Sequence, residues 1–336
     1  MSFHLFLGGI LAKIRQPLDC RQSARTTPRI SAPPAPRTRY ITSQMQKRVA
    51  IFGCAGQLGV ELIREFQHRG WSVAGWERSQ VDITSHSAVE QAIASFDPQV
   101  VLNSAAYNQV DVAESEPQAA FQVNALAVRN LALACRQCGA ALVHFSTDYV
   151  FDGAAGRPYH EEDPTHPLGA YAVSKLAGEL YAQAYLDNAL IIRTSGVFGL
   201  GALRTPRGNF IELMLRLASE GKLIRVVEDH VGSPTYAPLL AARTADLVER
   251  GASGVFHCGG GTPTSWHAFA QMIFREAGLS PDLRATTERE YRTPARRPRY
   301  SALSNSKIEA LGLAPMPPLE VALRSYLQLR SRMAGA

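Results

Sequence analysis

The stretch that decides the fold is KRVAIFGCAGQLGVELIREFQHRGWSVAGW, residues 47–76. Its first part, 47–53, is a short apolar strand ending in glycine. Gly53, Gly56 and Gly59 follow in a GxxGxxG spacing. The next segment reads as an amphipathic helix with Leu58, Leu62 and Phe66 on one stripe and Gly70 at its end. WSVAGW is a second strand. Strand, glycine turn, helix and strand make the context in which a glycine fingerprint binds a dinucleotide. Glycines let the backbone approach a pyrophosphate, and the helix start offers unpaired N–H groups to it. A carboxylate is expected at the end of the second strand, to hold the adenosine ribose. Glu77 stands there, favouring NADH, while the adjacent Arg78 suits the 2′-phosphate of NADPH. The choice between the two cofactors stays open.

The alternation continues. SHSAVEQAIASF (85–96) reads as a helix and QVVLNSA (99–105) as a strand. QAAFQVNALAVRNLALACRQCG (118–139) reads as one long helix and AALVHFS (140–146) as a buried strand. Strict alternation predicts an α/β protein with a doubly wound parallel sheet, the Rossmann arrangement, and helices on both faces.

Two clusters carry candidate chemistry. Ser146, Thr147, Asp148 and Tyr149 close the strand at 140–146, at the sheet edge where open α/β folds bind ligands. Tyr171 and Lys175, in AYAVSKLAGE (170–179), lie four residues apart and so on one face of a helix. Alone, a YxxxK pair is more often an ordinary helix surface.

The chain of 336 residues has a formal charge of +6, and its first 46 residues account for all of it. That segment holds seven Lys and Arg against Asp19 alone, so the remainder is neutral, the basic balance says nothing about a nucleic-acid surface on it, and no nucleic-acid partner is expected. Its second half, SARTTPRISAPPAPRTRY, has the composition of a disordered extension. It fits either an organelle transit peptide or an upstream start, with Met45 opening MQKRVAIFG. No apolar run is long enough to cross a bilayer. Five cysteines, an odd number, do not complete a disulfide framework; Cys135 and Cys138 form a CxxC without a second pair to finish a zinc set.

Taken with the glycine turn, Ser146/Thr147, Tyr171 and Lys175 resemble the extended short-chain dehydrogenase/reductase superfamily. VLNSAAYNQVDVAE, HFSTDYVFDGAAGRPYHEEDPTHPLGAYAVSKLAGE, IIRTSGVFG and VEDHVGSPTYA narrow the resemblance to the dTDP-4-dehydrorhamnose reductase family, in colinear order over about 47–330. The resemblance implies reduction of the C4 ketone of dTDP-4-dehydro-L-rhamnose with NADPH or NADH, in the cytoplasm, by a monomer or homodimer, with Mg2+ as an ion the family brings in. It implies that Tyr171 donates a proton, that Lys175 lowers the phenol pKa and bonds the nicotinamide ribose, and that Thr147 (or Ser146) hydrogen-bonds the substrate oxygen. Gly53, Gly56, Gln57, Leu58 and Gly59 would meet the pyrophosphate. Asp82 and Ile83 would flank the adenine, and Ala106, Tyr107 and Asn108 the cofactor channel. Asp148, Tyr149 and Gly196 would face the sugar. Tyr149 stands where the related 4,6-dehydratases carry a glutamate.

The implied organisation is a disordered extension at 1–46, an NAD(P)-binding domain at 47–199 plus about 229–257, and a sugar-binding lobe at about 200–228 plus 258–330. Departures from the family gather on the sugar side: Gly196 replaces a tryptophan, His230 a glutamine and Asn305 an aspartate. Loss of that aromatic implies a wider pocket unless Phe198 or Tyr149 fills it. His230 reads as a satisfied loop residue. The alternatives are a reductase of another nucleotide-linked 4-ketosugar, or a non-catalytic subunit like the methionine adenosyltransferase beta subunit, which resembles the same family.

Overall fold

A computed structural model describes residues 46–205 and 208–334. The basic N-terminal extension lies outside the described residues. Along the chain run β1 (Arg48–Phe52), α1 (Gln57–His68), β2 (Ser72–Trp76), α2 (His86–Phe96), β3 (Val100–Asn103), α3 (Val112–Ser115), α4 (Pro117–Phe121), α5 (Ala127–Cys138), β4 (Ala141–Thr147), α6 (Ala170–Tyr185), β5 (Leu190–Thr194) and α7 (Phe210–Ser219). They are followed by β6 (Ile224–Val227), β7 (Val231–Gly232), α8 (Ala237–Glu249), β8 (Gly254–His257), β9 (Thr264–Ser265), α9 (Trp266–Glu276), β10 (Leu283–Thr286), α10 (Ser306–Ala310) and α11 (Leu319–Ala334).

Six strands form one sheet in the order β2-β1-β3-β4-β5-β8, and every pair in it is parallel. Side chains alternate along β1: Val49 and Ile51 enter a core with Leu62 and Phe66 of α1 and Leu240 and Leu247 of α8. Ala50 and Phe52 enter a second core with Val89 and Ile93 of α2 and Leu131 of α5. The chain leaves β1 for β2 on one side and returns to β3 on the other, so a crevice opens at the carboxyl ends of β1 and β3.

The helix expected without a break over 118–139 is interrupted. Gln122–Leu126 is a π-helical turn between α4 and α5. The cause is contact with other segments: Asn124 takes the Tyr107 N–H at 2.8 Å, and its amide reaches the Tyr107 carbonyl at 2.9 Å and Ser174 Oγ at 3.0 Å. The widened turn holds Asn124 between Tyr107 and Ser174, and the neighbouring Val123 lines the crevice.

Later segments make a third core. Phe198, Ile211 and Met214 of α7, Ile224, Phe269 and Ile273 of α9, and Leu323 and Tyr326 of α11 are buried together. β6 pairs with β10 there. β7 and β9 form a separate antiparallel ladder, Val231 opposite Ser265 and Gly232 opposite Thr264. Among the described residues, no helix is long and apolar enough to cross a membrane.

Candidate active site

The crevice holds a cavity of about 800 Å³, lined along its length by residues from Gly53 to Thr205. One end of the lining comes from the glycine turn. Gly53 has φ +77°, and a Cβ there would sit 2.6 Å from Ala105 N; only glycine allows the turn and the close approach. Gly56 precedes α1 and gives it no side-chain cap, so the first-turn N–H groups keep the arrangement that a phosphate takes up. Gln57 and Leu58 line the cavity too, and Gln57 Oε1 accepts from Gly199 N at 3.2 Å.

Gly59 does not line it. A Cβ on Gly59 would collide with Gly53 O and the Cys54 backbone. Its smallness lets α1 close on the β1 turn, a packing role in place of the ligand contact expected from sequence. Glu77, Arg78, Asp82 and Ile83 line the far end, and Ala106, Tyr107 and Asn108 one side. Glu77 accepts from Ser79 Oγ at 2.6 Å, while Arg78 is paired with Asp82 at 3.7 Å.

These features fit a dinucleotide. They do not extend to Mg2+: among the described residues, no group of three or more His, Cys, Asp or Glu side chains offers a metal set. Among the described residues Cys54, Cys135 and Cys258 are free thiols.

A smaller cavity of about 200 Å³ adjoins the first. Thr147, Asp148, Tyr171 and Gly196 line both. Ser146 lines only the larger. Thr147 Oγ1 donates to Asp148 Oδ1 at 3.2 Å and accepts from Tyr149 N at 3.2 Å, and Thr147 and Tyr171 line both cavities together. The placement thus joins Thr147, rather than Ser146, to Tyr171.

Burial pushes the Tyr171 phenol up to about 12; the Thr147 hydroxyl opposes this and the Asp148 charge adds to it. Lys175 does not enter that balance. Its Nζ donates to Phe145 O at 2.5 Å, and burial draws its own pKa down to about 8. The expectation that Lys175 lowers the phenol pKa is therefore not met here: the ammonium is turned to the β4 carbonyl. Asp148 is buried, and burial lifts its carboxyl to about 6 against donation from Ser301, Ser195 and Thr147; Ser195 Oγ donates at 2.8 Å and Ser301 Oγ at 2.5 Å.

On the sugar side the structure adds Arg297 and Trp266, which the sequence did not single out. Tyr149 meets Tyr171 edge to face, with centroids 6.3 Å apart, and the Arg297 charge, itself paired with Asp111 at 2.8 Å, acts on its phenol. Gly196 has φ +48°, and a Cβ there would lie 3.1 Å from Trp266 Cη2. Trp266, the first residue of α9, therefore occupies the space beside Gly196. Neither expected substitute does: Phe198 is buried in the third core, and Tyr149 lies against Tyr171. No local pattern marks Trp266, which reaches the cavity only because β9 pairs with β7.

A family model described as the RmlD substrate binding domain matches residues 47–331. A dTDP-4-dehydrorhamnose reductase of Streptomyces griseus is 39% identical over 309 residues, covering 90% of this chain and 97% of that protein. A probable dTDP-4,6-dihydroxy-2-methyloxan-3-one 4-ketoreductase of Streptomyces antibioticus is 39% identical over 280 residues, covering 82% of this chain and 93% of that one. Among solved structures, the dTDP-4-dehydrorhamnose reductase of Bacillus anthracis in complex with NADP superposes with a TM-score of 0.80, at 34% identity, over 84% of this chain and 99% of that one. With the glycine turn, the joined Thr147 and Tyr171, and a family match running from the first strand into the last helix, the chain belongs to the RmlD family of dTDP-4-dehydrorhamnose reductases.

Proposed function

We propose that this protein is an NAD(P)H-dependent oxidoreductase that reduces the C4 ketone of dTDP-4-dehydro-L-rhamnose to dTDP-L-rhamnose. The observation that carries the reading is the placement of Thr147 and Tyr171 where the two cavities meet, one cavity fitting a dinucleotide and the other a single sugar ring. NADPH or NADH, when bound, supplies the hydride. The glycine turn and the uncapped start of α1 hold the diphosphate, and Glu77 and Arg78 face the adenosine ribose. Lys175 bonds the nicotinamide ribose by leaving the Phe145 carbonyl.

Thr147 turns its one hydroxyl proton from Asp148 Oδ1 to a hydrogen bond with the ketone oxygen. Tyr171 then transfers its proton to that oxygen as the C4 carbon is reduced, leaving a phenolate that reprotonates from solvent. A phenol pushed up to about 12 remains protonated at neutral pH, which suits a proton donor in this direction. Asp148 holds Ser195 and Ser301 in place, and Tyr149 and Gly196 face the sugar.

The NAD(P)-binding part is assigned to 47–199 and 229–257, and the sugar part to 200–228 and 258–330; the separate third core supports the division. The protein acts as a monomer or homodimer, and the residues given roles above come from one chain. Nucleotide-sugar substrate and free buried thiols agree with the cytoplasm.

A second reading, reduction of another nucleotide-linked 4-ketosugar, is favoured by the exchange of walls at Gly196 and Trp266. Incubation of the purified chain with dTDP-4-dehydrorhamnose and NADPH tests the first reading. Product dTDP-rhamnose is expected, with kcat at least ~100-fold lower for Tyr171→Phe. Binding of NADPH without turnover of any 4-ketosugar would instead identify a regulatory subunit.

A further inference from the structure

His230 is 6% exposed and lines the small cavity together with Thr147 and Tyr171. Its Nε2 is buried and has no hydrogen-bond partner. The nearest carboxylate oxygen, Glu288 Oε2, is 3.6 Å away, beyond a hydrogen bond, and it already receives Arg299 Nε at 3.4 Å. The loop carrying His230 is held in place: its carbonyl accepts from Trp266 N at 3.2 Å, and β7 follows at once. A buried imidazole nitrogen left unpaired is costly, and native structures rarely keep one without reason. The small cavity is where its partner would arrive. In a space of about 200 Å³, any group beside Tyr171 stands within one pyranose ring of the reacting carbon. The remaining groups of such a ring able to pair with imidazole are its hydroxyls, each both donor and acceptor, whereas Trp266 offers the cavity an apolar face.

We infer that His230 hydrogen-bonds a hydroxyl at C2 or C3 of the bound 4-ketosugar and makes the enzyme selective for sugars that carry it. The inference rests on the proposed reduction and names a further specificity-determining residue for it. A bond made equally to bound substrate and to the transition state raises affinity without changing the chemical step. Loss of His230 therefore appears in KM.

The test measures wild type, His230→Ala and His230→Gln with NADPH on dTDP-4-dehydrorhamnose and on its 2-deoxy and 3-deoxy analogues. For His230→Ala we expect KM to rise about tenfold or more on the full substrate, the scale of one buried hydrogen bond, with kcat nearly kept and the NADPH Kd unchanged. His230→Gln, which retains a donor and an acceptor, should recover most of the loss. On one of the two deoxy analogues wild type should already show the raised KM, and His230→Ala should add nothing. Should His230→Ala fail to fold, His230→Leu, which keeps bulk and removes both ring nitrogens, must show a smaller ratio of KM between that analogue and the full substrate than wild type does. Equal losses on all three sugars, an unchanged KM, or a weakened NADPH Kd would overturn the inference. Wild-type turnover of dTDP-4-dehydrorhamnose separates the two levels: without it the proposed function falls and takes this inference along, and with it only the role of His230 is at stake.

Discussion

Gly196 is the position where substitution should be most instructive. Its φ of +48° lies in the left-handed region, which costs a residue with a Cβ ~1–2 kcal/mol. An added Cβ also meets Trp266 Cη2 at 3.1 Å and the Pro234 Cα at 3.4 Å. Pro234 is backbone and cannot yield easily. Trp266 is seated against Phe210, with centroids 4.8 Å apart, and near Phe269 at 6.4 Å, so moving its ring disturbs the third core. Gly196→Ala should therefore lose about 1–2 kcal/mol of unfolding free energy from backbone strain, with KM for the sugar rising as the indole is pushed into the pocket.

Gly196→Trp is a sharper case. Restoring the tryptophan usual in the family would seem to rebuild a missing wall, but the space is taken. We expect kcat/KM for dTDP-4-dehydrorhamnose to fall by at least ~10-fold, the scale of a misfitted apolar contact. Urea unfolding and steady-state kinetics on both variants check this. A Gly196→Trp enzyme with unchanged unfolding free energy and a raised kcat/KM would refute the reasoning, because it would mean that Trp266 does not occupy that space in solution.

Other expectations are simpler. Lys175→Met should weaken both turnover and NADPH binding, measured by kinetics and fluorescence titration; an effect on turnover alone contradicts the ribose contact. Asp148 has its carboxyl raised from 3.8 to about 6 in the folded state, so folding favours its protonated form. That contribution is full below about pH 4 and is lost as pH rises through about 6, amounting to roughly 3 kcal/mol. The unfolding free energy of wild type relative to Asp148→Asn should fall across that window, and parallel pH profiles would remove the assignment. A chain beginning at Met45 should keep wild-type kcat/KM, since every residue assigned here lies beyond it; a loss of activity would give the basic extension a working role.

Much of the fold was legible because its signals are local. The stripe of Leu58, Leu62 and Phe66 is buried as its spacing implies, and the glycine turn follows β1 directly. The π-helical turn at 122–126 was not, since its cause is Asn124 meeting Tyr107 and Ser174 from other segments. Thr147, Tyr171 and Lys175 were found as types at a spacing, but the direction of the Lys175 ammonium depends on a carbonyl thirty positions earlier. Gly59 was misread for a different reason: one small residue serves a phosphate or a helix contact, and only the backbone beside it decides which. His230 and Trp266 sit in segments with no periodic mark, and their meeting is a product of strand pairing.

The two sides of the site differ in mechanical backing. Thr147 ends a seven-residue strand inside the six-stranded sheet, and Tyr171 and Lys175 rise from a sixteen-residue helix laid against it. His230 and Trp266 flank a ladder whose strands are two residues each. Changes in length or sequence near 228–234 and 262–266 can shift both sugar-facing side chains together while the hydride geometry stays fixed. A scaffold divided in this way acquires new sugars by drift in its soft part and keeps its chemistry in the stiff one, and laboratory evolution of substrate range should find its useful mutations in those two short segments.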